Sequence, residues 1–156
     1  MEIAVSEVPK QVILQKIFVK DASLEVPQAP AVFTRAWQPQ VDVQIGTAVQ
    51  GLAPEQHLVT LTVTVTAKLE NDVAFLAEVQ QSGVFLVKGL TDEKDRQAVL
   101  GAYCPNILFP FARESVADLV QRGGFPQFLL QPVNFDALYQ EHLARQAAVG
   151  EAPKPH

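Results

Sequence analysis

Apolar and polar residues alternate with a period of two in the segments around Val41–Ile45, Thr60–Leu69 and Val73–Gln81, less cleanly in Gln11–Lys20, and with a period near 3.6 beyond Gly89. The sharpest alternation sets Leu61, Val63, Val65, Ala67 and Leu69 against Thr60, Thr62, Thr64, Thr66 and Lys68. Successive strand residues point to opposite faces, so this is a strand with one apolar face and one threonine face. Gln11–Lys20 is rich in β-branched and aromatic residues and predicts an earlier strand, continued after a bend by Asp21–Val26. Val41, Val43 and Ile45 alternate with Asp42 and Gln44 and predict another. A loop is expected from Gly46 to Gln56, where Gly51 and Pro54 act as breakers and His57 closes the segment. Glu70-Asn71-Asp72 is a turn signal. A fourth strand follows from Val73 to Gln81, with Phe75, Ala77, Val79 and Gln81 on one face and Leu76, Glu78 and Gln80 on the other. Gly83 permits a bend, and Val84–Lys88 extends the pairing.

After Gly89 the period changes. Asp92, Glu93 and Asp95 suit the positive end of a helix dipole. Pro105 is expected to break or kink that helix, because proline has no N–H to donate. Helical spacing resumes near Leu108 with Ala112, Val116, Leu119 and Val120 as its apolar stripe, and Gly123-Gly124 closes it. Asn134 can cap a last helix that carries Phe135, Leu138, Tyr139 and His142 on one side. Four strands followed by helices make an α+β layout, with helices on one face of an antiparallel sheet.

A chain of 156 residues fits one domain with a real core. We expect loose ends at residues 1–10 and 149–156 around a single domain at 11–148. Charged residues are only 19% of the chain, below the usual quarter, which points to extra buried surface such as a subunit interface. The net charge is −5, and its twelve Lys and Arg are scattered, so no basic stripe offers itself to nucleic acid. The N-terminus lacks the pattern of a signal peptide and no apolar run is long enough to span a membrane, so the cytoplasm is the expected compartment.

Candidate chemistry is sparse. His57, His142 and His156 are far apart and Cys104 is the only cysteine, so no metal-ligand spacing exists. Cys104 precedes Pro105 in an apolar stretch, which suits a buried inert thiol better than a nucleophile. No glycine-rich phosphate loop follows a strand. What remains is apolar excess. GAYCPNILFPFARE, from Gly101 to Glu114, is surface to be covered by the fold, a partner or an apolar ligand. Phe33 and Trp37 lie in a proline-punctuated loop, PQAPAVFTRAWQP. They either anchor that loop or line a pocket, and the two readings are compatible.

The segments KDASLEVPQAPAVF, WQPQV, VTLTVTVTAKLE, AFLAEVQQSGVF, GAYCPNILFPFARE and QPVNFDALY, in this order and spacing, resemble the SecB family of bacterial protein-export chaperones. The resemblance runs from about Gln11 to Leu143. It implies a four-stranded antiparallel sheet with a long kinked helix and a shorter C-terminal helix packed on one side, assembled as a dimer of dimers. It implies an ATP-independent chaperone without catalysis or cofactor, which holds unfolded preproteins in apolar grooves and hands them to the SecA motor. SecA docking falls on Asp21, Glu25, Leu76 and Glu78, an acidic set suited to the basic, zinc-bearing tail of SecA. Subunit association falls on Phe75, Ala77, Val79 and Gln81. The preprotein groove falls on Trp37, Val41, Val43, Ile45, Phe135 and Leu138, residues that core packing explains equally well. A chaperone of the same fold that guards an antitoxin is the alternative, and intact Asp21, Glu25, Leu76 and Glu78 favour export.

Overall fold

The computed structural model describes residues 11–151. Four strands, β1 (Gln11–Glu25), β2 (Gln40–Ala53), β3 (Gln56–Leu69) and β4 (Asp72–Lys88), form one antiparallel sheet in the order β1-β4-β3-β2. This is a Greek-key order: three hairpin-connected strands, with β1 returned to the far edge beside β4. The expected meander of the last three strands is present. The segment between β1 and β2 crosses the sheet, and a short 3-10 turn at Ala31–Thr34 lies within it.

Three local expectations differ from the structure. The bend after Lys20 is a β-bulge between Val19 and Asp21 that leaves β1 continuous, and a second bulge lies between Leu14 and Lys16. The loop expected at Gly46–Gln56 is strand down to Ala53, and the turn is only Pro54-Glu55. Its β-branched Thr47 and Val49 find β3 partners in Leu61 and Val59, and ladder pairing overrides the weak preference of Gly46 and Gly51. Pro105 does not break the helix. Helix α1 (Glu93–Ala98) runs through a π turn (Val99–Tyr103) into α2 (Cys104–Arg122), with Pro110 inside it.

Helix α3 spans Phe135–Glu151 and so takes in the first residues of the stretch expected as a tail. Its start is as predicted, with Asn134 Oδ1 accepting the Ala137 N–H at 3.0 Å. The ends at 1–10 and 152–156 lie outside the described residues.

The core lies between the helices and one sheet face. Leu61, Val63, Val65 and Ala67 of β3 and Phe75, Ala77, Val79 and Phe85 of β4 are almost wholly buried, against Leu108, Ala112, Val116 and Val120 of α2. Gly83 lets α2 close on the sheet, since a Cβ there would meet Leu108 Cδ2 at 2.9 Å. The one polar side chain of this face in β4 is satisfied: Gln81 Nε2 donates to the Phe18 carbonyl and Gln81 Oε1 accepts from Ser115 Oγ, both at 3.2 Å. The crossing segment is tied down at two points. Trp37 packs on Phe125 and Phe75, with ring centroids 5.0 and 6.2 Å away. Arg35 Nη1 pairs with Asp72 Oδ2 at 3.1 Å, at the β3–β4 turn.

Candidate functional site

Two surfaces stand out, one on each side of the sheet. The first is the face that no helix covers. Directly paired residues of an antiparallel ladder share a face. Glu25 pairs with Leu76, Ser23 with Glu78 and Asp21 with Gln80, so the four candidate residues from β1 and β4 lie together on this open face. The bulge between Val19 and Asp21 is what brings Asp21 into that register. Asp21 and Glu25 are exposed and Leu76 and Glu78 half-buried. Glu78 Oε2 accepts from Thr64 Oγ1 at 2.9 Å, which fixes the carboxylate in the middle of the sheet. Asp42 is a fourth carboxylate here, because it pairs with Thr66, which pairs with Leu76. The alternation of Asp42 with Val41 and Val43 was its signal in the sequence, but the face it shares with Glu25 needs the whole strand order.

The second surface is a cleft of about 570 Å³ on the helix side. Ile45–Val49 of β2 form one wall, and Leu138–Gln146 of α3 the other. Leu100, Gly101 and Phe135 lie between them. Of the expected groove residues the structure brings Ile45, Phe135 and Leu138 together here. Val41 and Val43 share the strand face of Ile45 and are exposed, but lie outside the enclosed part. Trp37 is in the aromatic cluster with Phe75 and Phe125, so its contacts are those of an anchor. The row from Val41 to Val49 extends the cleft along β2 for about 27 Å at the usual rise per strand residue. Thr47 and Val49 were missed because their segment reads as a loop, and Leu100 and Gly101 because nothing local marks them as cleft floor.

Phe75, Ala77, Val79 and Gln81 are inside the subunit, each at most 3% exposed beneath α2. Any effect on association therefore passes through the core. The apolar segment Gly101–Glu114 is divided. Cys104, Pro105, Leu108, Phe109 and Ala112 face inward, while Tyr103 and Phe111 stay 53% and 42% exposed.

Cys104 is wholly buried, and burial pushes its thiol up to about 12. The folded chain keeps a proton that the unfolded chain releases near the ordinary thiol value of about 8.5. This contribution to stability is full below that pH and is lost as pH rises toward about 12. Cys104→Ala should therefore flatten the alkaline fall in melting temperature relative to wild type, and native wild type should resist iodoacetamide until it unfolds. Rapid alkylation of the native protein would show the thiol to be accessible. Among the described residues no group of three or more His, Cys, Asp or Glu is placed to hold a metal ion, and no helix is long and apolar enough to cross a membrane.

A family model described as preprotein translocase subunit SecB matches residues 6–146. The chain belongs to the SecB family. Among its SecB relatives, the protein-export protein SecB of Methylococcus capsulatus is 47% identical over 94% of each chain. The protein-export protein SecB of Pseudomonas fluorescens is 49% identical over 96% of this chain and 93% of the relative. That of Ectopseudomonas mendocina is 51% identical over 89% and 86%. The fold is also that of a SecB-like chaperone, Rv1957 of Mycobacterium tuberculosis, solved in complex with a ChAD peptide from the Rv1956 HigA1 antitoxin. That match has a TM-score of 0.66 at 20% identity and covers 78% of this chain and 90% of the other. The expected SecB architecture is thus present: a four-stranded antiparallel sheet, one long joined helix and a C-terminal helix.

Proposed function

We propose that the protein is an ATP-independent export chaperone of the cytoplasm, which holds unfolded preproteins in the apolar cleft and delivers them to SecA. The observation that carries the reading is the division of labour between the two faces of the sheet. The helix side offers a cleft whose apolar residues Ile45, Val49, Leu100, Phe135 and Leu138 are continued by Val41 and Val43 and bordered by the polar Gln97, Glu141, His142 and Arg145, and the open side offers Asp21, Glu25, Leu76 and Glu78 in adjoining rows. Cargo and motor then bind without competing.

An unfolded chain gains roughly 25 cal/mol for each Å² of apolar surface buried, before the cost of ordering it. A folded protein exposes too little apolar surface to compete. A chain wrapped over several clefts gains avidity without tight local contacts, which suits a homotetramer built as a dimer of dimers. Exposed Tyr103 in the π turn and Phe111 on α2 support helix-to-helix packing between dimers. Phe75, Ala77, Val79 and Gln81 would act on association by setting how α2 sits on the sheet. The basic, zinc-bearing tail of SecA suits the acidic face, and the zinc belongs to the partner.

Calorimetry with a reduced, unfolded preprotein tests the cleft. Wild type should bind it and ignore the same protein folded. Leu138→Glu, at an exposed cleft position, should weaken binding about tenfold by placing a charge against apolar cargo. No binding by wild type would end the chaperone reading. Guarding of an antitoxin is the second reading, and the likeness to the mycobacterial protein bears on fold alone. The relatives that are about half identical carry the name of export proteins.

A further inference from the structure

The cleft wall formed by α3 rests on two aromatic contacts. Every residue of α3 from Gln140 to Val149 is exposed. The first turn is held by Phe135, which meets Phe109 edge-on with ring centroids 5.6 Å apart. The second turn is held by Tyr139, whose ring lies over Gly101. A Cβ at position 101 would stand 2.7 Å from both Tyr139 Cδ2 and Tyr139 Cε2, a separation that carbon atoms do not tolerate. The ring therefore occupies space that any other side chain at 101 would claim.

The setting of Gly101 traces to Pro105. In a regular α-helix residue 105 would donate its N–H to the Gly101 carbonyl, four residues back. Proline has no N–H, and its ring collides with that carbonyl. The chain instead widens into the π turn, where the Cys104 N–H reaches the Val99 carbonyl five residues back. The widened turn is held from below, since Leu100, Ala102, Cys104 and Pro105 are buried. Its bare Cα at Gly101 faces Tyr139, and Gly101 and Tyr139 both line the cleft.

We propose that Pro105, Gly101 and Tyr139 form a seat that positions α3 and thereby sets the depth of the cargo cleft. The three are positioning residues, and the claim about cargo rests on the chaperone reading above. A methyl group at 101 would lift Tyr139 and carry the α3 wall away from Ile45–Val49. A smaller side chain at 139 would take the methyl and let the wall return.

Gly101→Ala, Tyr139→Leu and the double variant should be compared with wild type in two measurements. The first is hydrogen exchange of the amides at 136–146. The second is calorimetric affinity for a defined unfolded probe, reduced and carboxymethylated α-lactalbumin. Gly101→Ala should speed exchange in α3 about tenfold or more and weaken probe binding about tenfold, with exchange in β3 and β4 unchanged. Adding Tyr139→Leu should bring both back to within about threefold of wild type, a rescue that general damage to the helix would not show. Unchanged α3 exchange in Gly101→Ala overturns the seat, and so does a double variant no better than the single one. If Gly101→Ala does not fold, Tyr139→Leu decides alone: it removes the ring without adding atoms, and unchanged α3 exchange overturns the seat. If wild type does not bind the probe, the chaperone reading fails, and the exchange measurements still decide whether the seat exists.

Discussion

Glu78→Lys is expected to weaken SecA binding by about thirtyfold, or about 2 kcal/mol, and to leave affinity for unfolded cargo within about twofold of wild type. Glu78 is the central carboxylate of the open face. It pairs with Ser23 on one side and Thr64 on the other, and its Oε2 is held by the Thr64 hydroxyl. Asp21, Glu25 and Asp42 lie on the same face. A lysine there removes one attraction for a basic tail and adds a repulsion, while its ammonium sits among carboxylates that offset part of the field around it. The side chain is half-buried on the face away from the cleft, so fold and cargo binding should survive. The wild-type interaction should also weaken with added salt, because exposed charges are screened beyond about 8 Å at physiological ionic strength. A SecA pull-down alongside cargo calorimetry measures both. Undiminished SecA capture by Glu78→Lys would remove the open face as the docking surface.

Phe75→Ala should cost about 3–5 kcal/mol of stability and lower the melting temperature by about 10 °C or more. Phe75 is 1% exposed and packs on Phe125 at 5.1 Å and Trp37 at 6.2 Å between ring centroids. Its removal leaves a cavity beside the rings of Trp37 and Phe125 that cannot collapse without moving the crossing segment. The emission of Trp37 should shift to the red as that segment loosens. Leu76→Ala, one residue along and on the open face, should cost about 1 kcal/mol or less. Urea unfolding of the two variants makes the comparison, and equal losses would mean that the two faces of β4 are not differently covered.

The legible parts of the fold are those where one local rule decides. The alternation of β3 is exact enough to assign each of its side chains to a face, and the structure buries the apolar set and leaves Thr62, Thr64 and Thr66 half-covered. The Asn134 cap needs only its own helix turn. The misread parts are those where a local rule met a stronger distant one. Gly46 and Gly51 weaken a strand, but β3 supplies the partners that hold β2 to Ala53. Pro105 should break or kink a helix, and the burial of Cys104, Pro105, Leu108 and Phe109 under the sheet keeps the path helical while the π turn absorbs the misfit. Trp37 could be read as anchor or as groove, and its contacts with Phe75 and Phe125 are an anchor's.

By itself the sequence determined the faces of β3 and of the first half of β4, the order of strands before helices and the family resemblance. Each of these is written in the spacing of neighbouring residues, which backbone geometry converts directly into direction. The pairing of β1 with β4 was decided only by the tertiary structure. That pairing gathers Asp21 and Glu25 with Leu76 and Glu78 from distant parts of the chain, and a bulge corrects their register. The cleft was decided in the same way, since its walls are an edge strand and a helix that face each other across the π turn, where Phe135 packs on Phe109 and Tyr139 lies over Gly101. Face is a local property with a period of two, whereas neighbours across a sheet and depth beneath a helix depend on which distant surfaces bury each other best.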